Sequence, residues 1–119
     1  ASQWERSLQI IPDIGPTSKE FSVRFENAYA KEPDYVAAQG YNIGLIIEKC
    51  IQEVGTLDEL TLRAVAKSAD FKTFYGAFKT DTTGNQTGHE MVVVQWQDQE
   101  KVIVYPYNLA QNEMIYPRK

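Results

Sequence analysis

The segment Asp34–Gly55, DYVAAQGYNIGLIIEKCIQEVG, constrains the fold of this chain more than any other. Asp34 suits a helix N-cap, because its carboxylate can accept a bond from an otherwise unpaired backbone N–H. Gly55 suits the left-handed residue that closes a helix. Between them Ala37, Tyr41, Gly44, Leu45, Ile47, Cys50, Ile51 and Val54 make a wide apolar stripe. Such width predicts a helix buried on more than one side. Gly40 and Gly44 each cost about 1 kcal/mol relative to alanine inside a helix, and so predict the close approach of another backbone or of a ligand. Their spacing also matches a membrane dimer motif, but the segment is too polar for that role.

Two further helices flank this one. Thr17 and Glu20 have capping-box spacing, and Phe21, Phe25, Ala28 and Tyr29 follow on one helical face before Pro33. After Gly55, Thr56 and Glu59 predict a second capping box, with Leu57, Leu60, Ala64 and Val65 as the apolar face and an end near Ser68–Asp70. The pattern then changes. FKTFYGAFKT is rich in aromatics and threonine, and EMVVVQWQ and KVIVYPY are strand runs separated by Asp98-Gln99-Glu100. About three helices followed by about three strands are expected, an α/β arrangement in one domain of 119 residues. The tail NLAQNEMIYPRK has no clear period.

The net charge of −4, from 12 basic and 16 acidic side chains, with the basic ones scattered, argues against a nucleic-acid or anionic-membrane surface. No stretch approaches the ~20 apolar residues of a membrane span. The sequence opens on Ala1 without a signal-peptide pattern, as a processed product or a piece of a longer protein would. Cys50, the only cysteine, has no partner for a disulfide and no Cys or His at metal-ligand spacing; on the apolar side of its helix it reads as a small buried hydrophobe.

The stretch Thr80–His89, TDTTGNQTGH, gathers a carboxylate, hydroxyls, an amide and the only histidine. Counted from Asp81, a calcium loop would need glycine sixth and glutamate twelfth, where Gln86 and Val92 stand. A phosphate loop would need Gly-Lys-Ser/Thr before a helix. The stretch therefore reads as a β-connection built from turn formers, with no metal site, and His89 as a surface or strand-edge residue. The carboxylates Glu48, Glu53, Asp58 and Glu59 read as caps and solvated faces, not as an acid–base pair. The start of the long helix, AAQGYN, is different. It places small residues, an amide and a phenol where free N–H groups and the positive dipole end suit a carboxylate or other polar ligand group. Burial of Tyr41 in a core is the competing reading.

The Pro-Asp-Tyr-x-Ala-Ala-x-Gly-Tyr helix start, the Gly-x-Phe-x-x-Asp-x-x-Gly turn, and the Val-Gln-Trp-Gln-Asp strand end with its later Tyr-Pro occur in a telling order. With SQWERSL and the helical run from Ser18, they cover most of the chain. Together they resemble the C-terminal third of a type I periplasmic binding protein. More narrowly, they resemble the branched-chain amino acid or aromatic-acid binding subunits of bacterial ABC importers. One departure is Gln99, where the family usually has glycine for a tight hairpin turn.

The resemblance implies a two-lobed α/β protein, each lobe a parallel sheet flanked by helices, closing on a small ligand without catalytic residues or a cofactor. Residues 1–119 would be one C-terminal piece, with 1–88 mainly in one lobe and 89–119 returning toward the other. Ala1–Leu8 would lie at a crossing between lobes. Gln39, Tyr41 and Asn42 would face the cleft and touch ligand. The partners implied are an amino acid or aromatic acid and an ABC permease, in the periplasm or outside the cell. Alone, the chain is expected to self-associate, possibly by exchanging strands, because apolar faces and strand edges would lie uncovered. Alternative readings are a ligand-sensing regulator or receptor domain of the same fold, or a small stand-alone α+β enzyme or interaction module. The sequence carries no nucleophile or acid–base constellation that an enzyme would need.

Overall fold

Local capping sets the helices. In the computed structural model, which describes residues 10–89 and 91–117, α1 spans Ser18–Tyr29, α2 Tyr35–Val54 and α3 Glu59–Ser68. The expectation for Ala1–Leu8 lies outside the described residues. The Thr17 side chain accepts from the Glu20 N–H, and Glu20 Oε2 accepts from the Thr17 N–H at 2.9 Å, the capping box that the spacing predicts. This pairing holds the Glu20 carboxyl below the usual range, chiefly through the Thr17 N–H. Asp34 Oδ1 accepts from the Ala37 N–H at 2.8 Å, and Gly55 closes α2 in the left-handed conformation. The α3 cap differs from expectation. Asp58, not Thr56, accepts from the Thr61 N–H, while Thr56 accepts from the Asp58 N–H. Asp58 immediately precedes the helix, so its short carboxylate reaches the third helical N–H directly.

The strands are β1 (Asp70–Thr73), β2 (Gly76–Lys79), β3 (Val93–Gln97) and β4 (Glu100–Tyr105), with a 3₁₀ turn at Tyr107–Leu109. Three helices followed by strands give the expected α/β portion, with four strands in place of about three. FKTFYGAFKT folds back on itself, with Phe71 opposite Phe78 and Thr73 opposite Gly76. Among the described residues both sheets are two-stranded and antiparallel, as tight two-residue links allow; a parallel pair would need a crossover of a dozen residues or more. β3 and β4 pair from Gln97–Glu100 to Val93–Tyr105, with a register shift between Val93 and Val94.

Asp98 and Gln99 link β3 to β4 with φ of 49° and 66°. Two positive φ values define the hairpin turn whose twist matches the strands. A side chain in that region costs about 1–2 kcal/mol, which glycine avoids. Gln99→Gly is therefore expected to raise stability by about 0.5–1 kcal/mol. The check is the urea midpoint; a fall on substitution would show that Gln99 is held there without strain.

The core joins α1, α2 and the first hairpin through Phe21, Ala38, Leu45 and Phe74, with Phe25 and Tyr75 packed around them. Gly15 lets the incoming chain pass over it. With φ of +78°, a side chain there would place its Cβ 2.7 Å from Leu45 Cδ2. The Asp13 N–H donates to the Lys72 carbonyl and Asp13 Oδ2 accepts from the Lys72 N–H, tying this segment to β1.

The buried face of α2 keeps part of the predicted stripe: Leu45 and Cys50 are buried and Ala37, Ile51 and Val54 half-buried, while Tyr41, Gly44 and Ile47 are exposed. Ala38, Leu45 and Cys50 are buried, and the half-buried Asn42 and Lys49 share their side. Val36, Gly40, Ile43 and Ile47 fall at i, i+4, i+7 and i+11 on the opposite side, and Ile43 is 58% exposed. Nothing lies within 4 Å of where a Cβ would stand on Gly40 or Gly44, so the predicted close approach is absent among the described residues. α3 buries no residue, and Leu57 and Leu60 are exposed. The radius of gyration, 16.6 Å, exceeds the about 13.5 Å of a compact chain this long, in line with uncovered faces. No helix among the described residues is long and apolar enough to cross a membrane.

Candidate functional site

Tyr41 projects from the second turn of α2 onto the rim of an aromatic cluster. Its ring centroid lies 5.1 Å from that of Phe21 and 6.0 Å from that of Phe74. One side of the ring therefore packs, while 41% of the residue stays exposed. Its hydroxyl has no partner among the described residues.

Asn42 is half-buried one residue on. Its Oδ1 accepts from the Thr73 hydroxyl at 2.5 Å, and the same hydroxyl accepts from the Tyr75 N–H at 3.2 Å. Asn42 is thus tied to the first hairpin by its oxygen, and its amide nitrogen has no partner among the described residues. Gln39 is exposed. At 100° per residue it stands about 160° around α2 from Tyr41 and about 60° from Asn42. Asn42 therefore lies between the other two around α2, and Gln39 and Tyr41 face nearly opposite ways. Of the N–H groups at the helix start, that of Ala37 is taken by the Asp34 carboxylate and that of Ala38 by the Asp34 carbonyl.

The tip of the first hairpin completes this surface, which the sequence reading missed. Phe74 and Tyr75 form a two-residue link, an exposed position in most hairpins, yet Phe74 is 0% exposed. Its ring stacks on Phe21 at 4.7 Å, and the Ser18 hydroxyl donates to its carbonyl at 3.4 Å. Tyr75 presents its ring to the edge of His89 at 6.0 Å. The signal available was the aromatic pair placed ahead of Gly76, whose φ of +141° suits a tight turn.

The connection from β2 to β3 is a tied turn. Asp81 Oδ1 accepts from the Thr83 hydroxyl at 2.6 Å, the Thr83 N–H at 2.8 Å and the Asn85 N–H at 3.0 Å. These bonds, that from the Thr83 hydroxyl foremost, hold the Asp81 carboxyl below the usual carboxylate range. A lowered folded pKa means the turn keeps its full support above the ordinary carboxylate pKa and loses it as pH falls through the folded value. Gly88 lies against β2, where an added Cβ would stand 2.3 Å from the Ala77 carbonyl oxygen. His89 Nδ1 is 3.2 Å from the same carbonyl, at a strand edge. Among the described residues no group of three or more His, Cys, Asp or Glu could hold a metal ion. Cys50 is buried, and burial, with the Glu53 charge second, pushes its thiol pKa up, so the thiol stays protonated and inert.

A model of the periplasmic binding protein family matches residues 7–101, about four-fifths of the chain. The chain belongs to this family. No curated protein matches the sequence. Periplasmic binding proteins hold small-molecule solutes in the periplasm and in general carry out no reaction. The matched span takes in the Tyr41 surface, the hairpin tip and the tied turn. It ends in the first residues of β4, before the 3₁₀ turn and the C-terminal segment.

Proposed function

We propose that this chain is the C-terminal part of the solute-binding subunit of an ABC importer, which captures a small amino acid or an aromatic or carboxylic acid and hands it to a membrane permease. Tyr41 carries the reading. Its ring is braced on one side by Phe21 and left open on the other, and its phenol is unpaired among the described residues. A rigid aromatic wall with a few placed polar groups is the usual make-up of a small-ligand site. Asn42 adds an amide nitrogen held in place through its own oxygen, and Gln39 serves a separate contact at the edge of the cleft. Residues 1–88 belong mainly to one lobe and 89–119 return toward the other, which accords with the self-contained pairing of β3 and β4.

In the full-length protein, Tyr41→Ala is expected to weaken solute binding by about tenfold or more, the equivalent of ~1.4 kcal/mol. The fold should be largely kept, because much of the ring is already exposed. Titration calorimetry against amino and aromatic acids, with Tyr41→Phe as control, makes the check. Unchanged affinity in Tyr41→Ala would remove this residue from the site.

The 119 residues alone are expected to form a dimer or higher oligomer, with strands exchanged, and to bind no solute. Val36, Ile43 and Ile47 on α2, Leu57 just before α3 and Leu60 on it are exposed apolar groups of the kind that drive association. Light scattering on a dilute sample, paired with a thermal-shift screen, tests this. A monomer stabilised by one acid would make these residues a complete domain.

A further inference from the structure

The C-terminal segment 110–116 runs beside the second hairpin without forming a strand. Side-chain amides hold it. Gln95 pairs with Ile115 in both directions, its Nε2 donating to the carbonyl and its Oε1 accepting from the N–H, each at 2.9 Å. Two residues on, and so on the same face of β3, Gln97 Nε2 donates to the Glu113 carbonyl at 2.9 Å and its Oε1 accepts from Asn112 Nδ2 at 3.1 Å. Gln97 also donates to Gln95 Oε1, which locks the two amides together. On the outer edge of β4, the Gln111 N–H donates to the Ile103 carbonyl at 2.8 Å and Gln111 Oε1 accepts from the Ile103 N–H.

Among the described residues, no large apolar side chain of the segment is buried. Met114, Ile115 and Tyr116 are exposed, and the segment arches beside an open recess of about 510 Å³ lined by Tyr107, Gln111, Asn112 and Met114. Amide hydrogen bonds in contact with water exchange readily for bonds to water, so each adds little net stability. Buried apolar area, which makes unfolding cooperative, is lacking here. The hairpin has its own ladder and turn, and Ile103 and Val104 are buried.

We propose that residues 110–116 are a latch strap that opens while β3 and β4 stay paired, with Gln95 as its main pin. Opening frees the N–H and carbonyl of Ile103 on the outer edge of β4.

Hydrogen exchange resolved by NMR on the whole chain tests this. The amides of Gln111 and Ile115 are expected to exchange at least tenfold faster than those within the β3–β4 ladder. Gln95→Ala removes both bonds to Ile115, and should speed exchange there by a further factor of about ten while leaving the ladder unchanged. Gln97→Ala should act alike at the Asn112 side-chain amide, and serves if Gln95→Ala does not fold. Exchange rising equally in strap and ladder would make the segment an integral part of the hairpin and overturn the proposal. So would strap amides unaffected by both variants.

Discussion

Phe74→Ala is expected to destabilise the chain by about 3–5 kcal/mol, the cost of removing a fully enclosed aromatic side chain and leaving a cavity. A domain of this size is stable by only about 5–15 kcal/mol, so this one change should consume much of the margin. Among the described residues four buried ones make the central cluster, and Phe74 joins it from the hairpin side by stacking on Phe21. Without that ring, the hairpin loses its seat on α1 and α2 while β1 and β2 keep their own ladder. Urea denaturation followed by circular dichroism reads the loss. Phe74→Leu should recover part of it, since leucine refills some of the volume. A loss below about 1 kcal/mol would mean that the site collapses around the smaller side chain.

Thr73→Val ranks second, at about 1–3 kcal/mol. The valine keeps the shape but leaves Asn42 Oδ1 without its donor and the Tyr75 N–H without its acceptor. Thr73 is fully buried, so water cannot readily replace the lost hydroxyl there. Asn42→Ala should cost less in the Thr73→Val background than in the native one, because the two share a bond. Additive losses in that double-mutant cycle would show that the contact contributes nothing of its own. The same cycle separates the structural part Asn42 plays from the ligand contact proposed for it. Anchoring of the hairpin is read in stability, and ligand contact through the free amide nitrogen is read in affinity at a temperature where both proteins are folded.

Capping and helical period are local, and they were legible in the sequence. Thr17 with Glu20, Asp34 and Gly55 each satisfy backbone groups within four residues, so their spacing alone fixes where α1 begins and α2 begins and ends. The two strands flanking Asp98-Gln99 were legible for the same reason. Which part of the wide apolar stripe of α2 is buried was not, although Leu45 and Cys50 in it are. The helix is apolar on opposite sides, and periodicity cannot say which of them meets α1 and the hairpin; the tertiary structure selected Ala38 and Leu45 and left Ile43 and Ile47 open. Phe74 in a turn and Gln95 in a strand likewise look like ordinary surface residues. One owes its burial to a docking partner more than fifty positions away, and the other owes its bonds to a segment twenty positions on. Such contacts depend on where the chain returns in space, which no local spacing encodes.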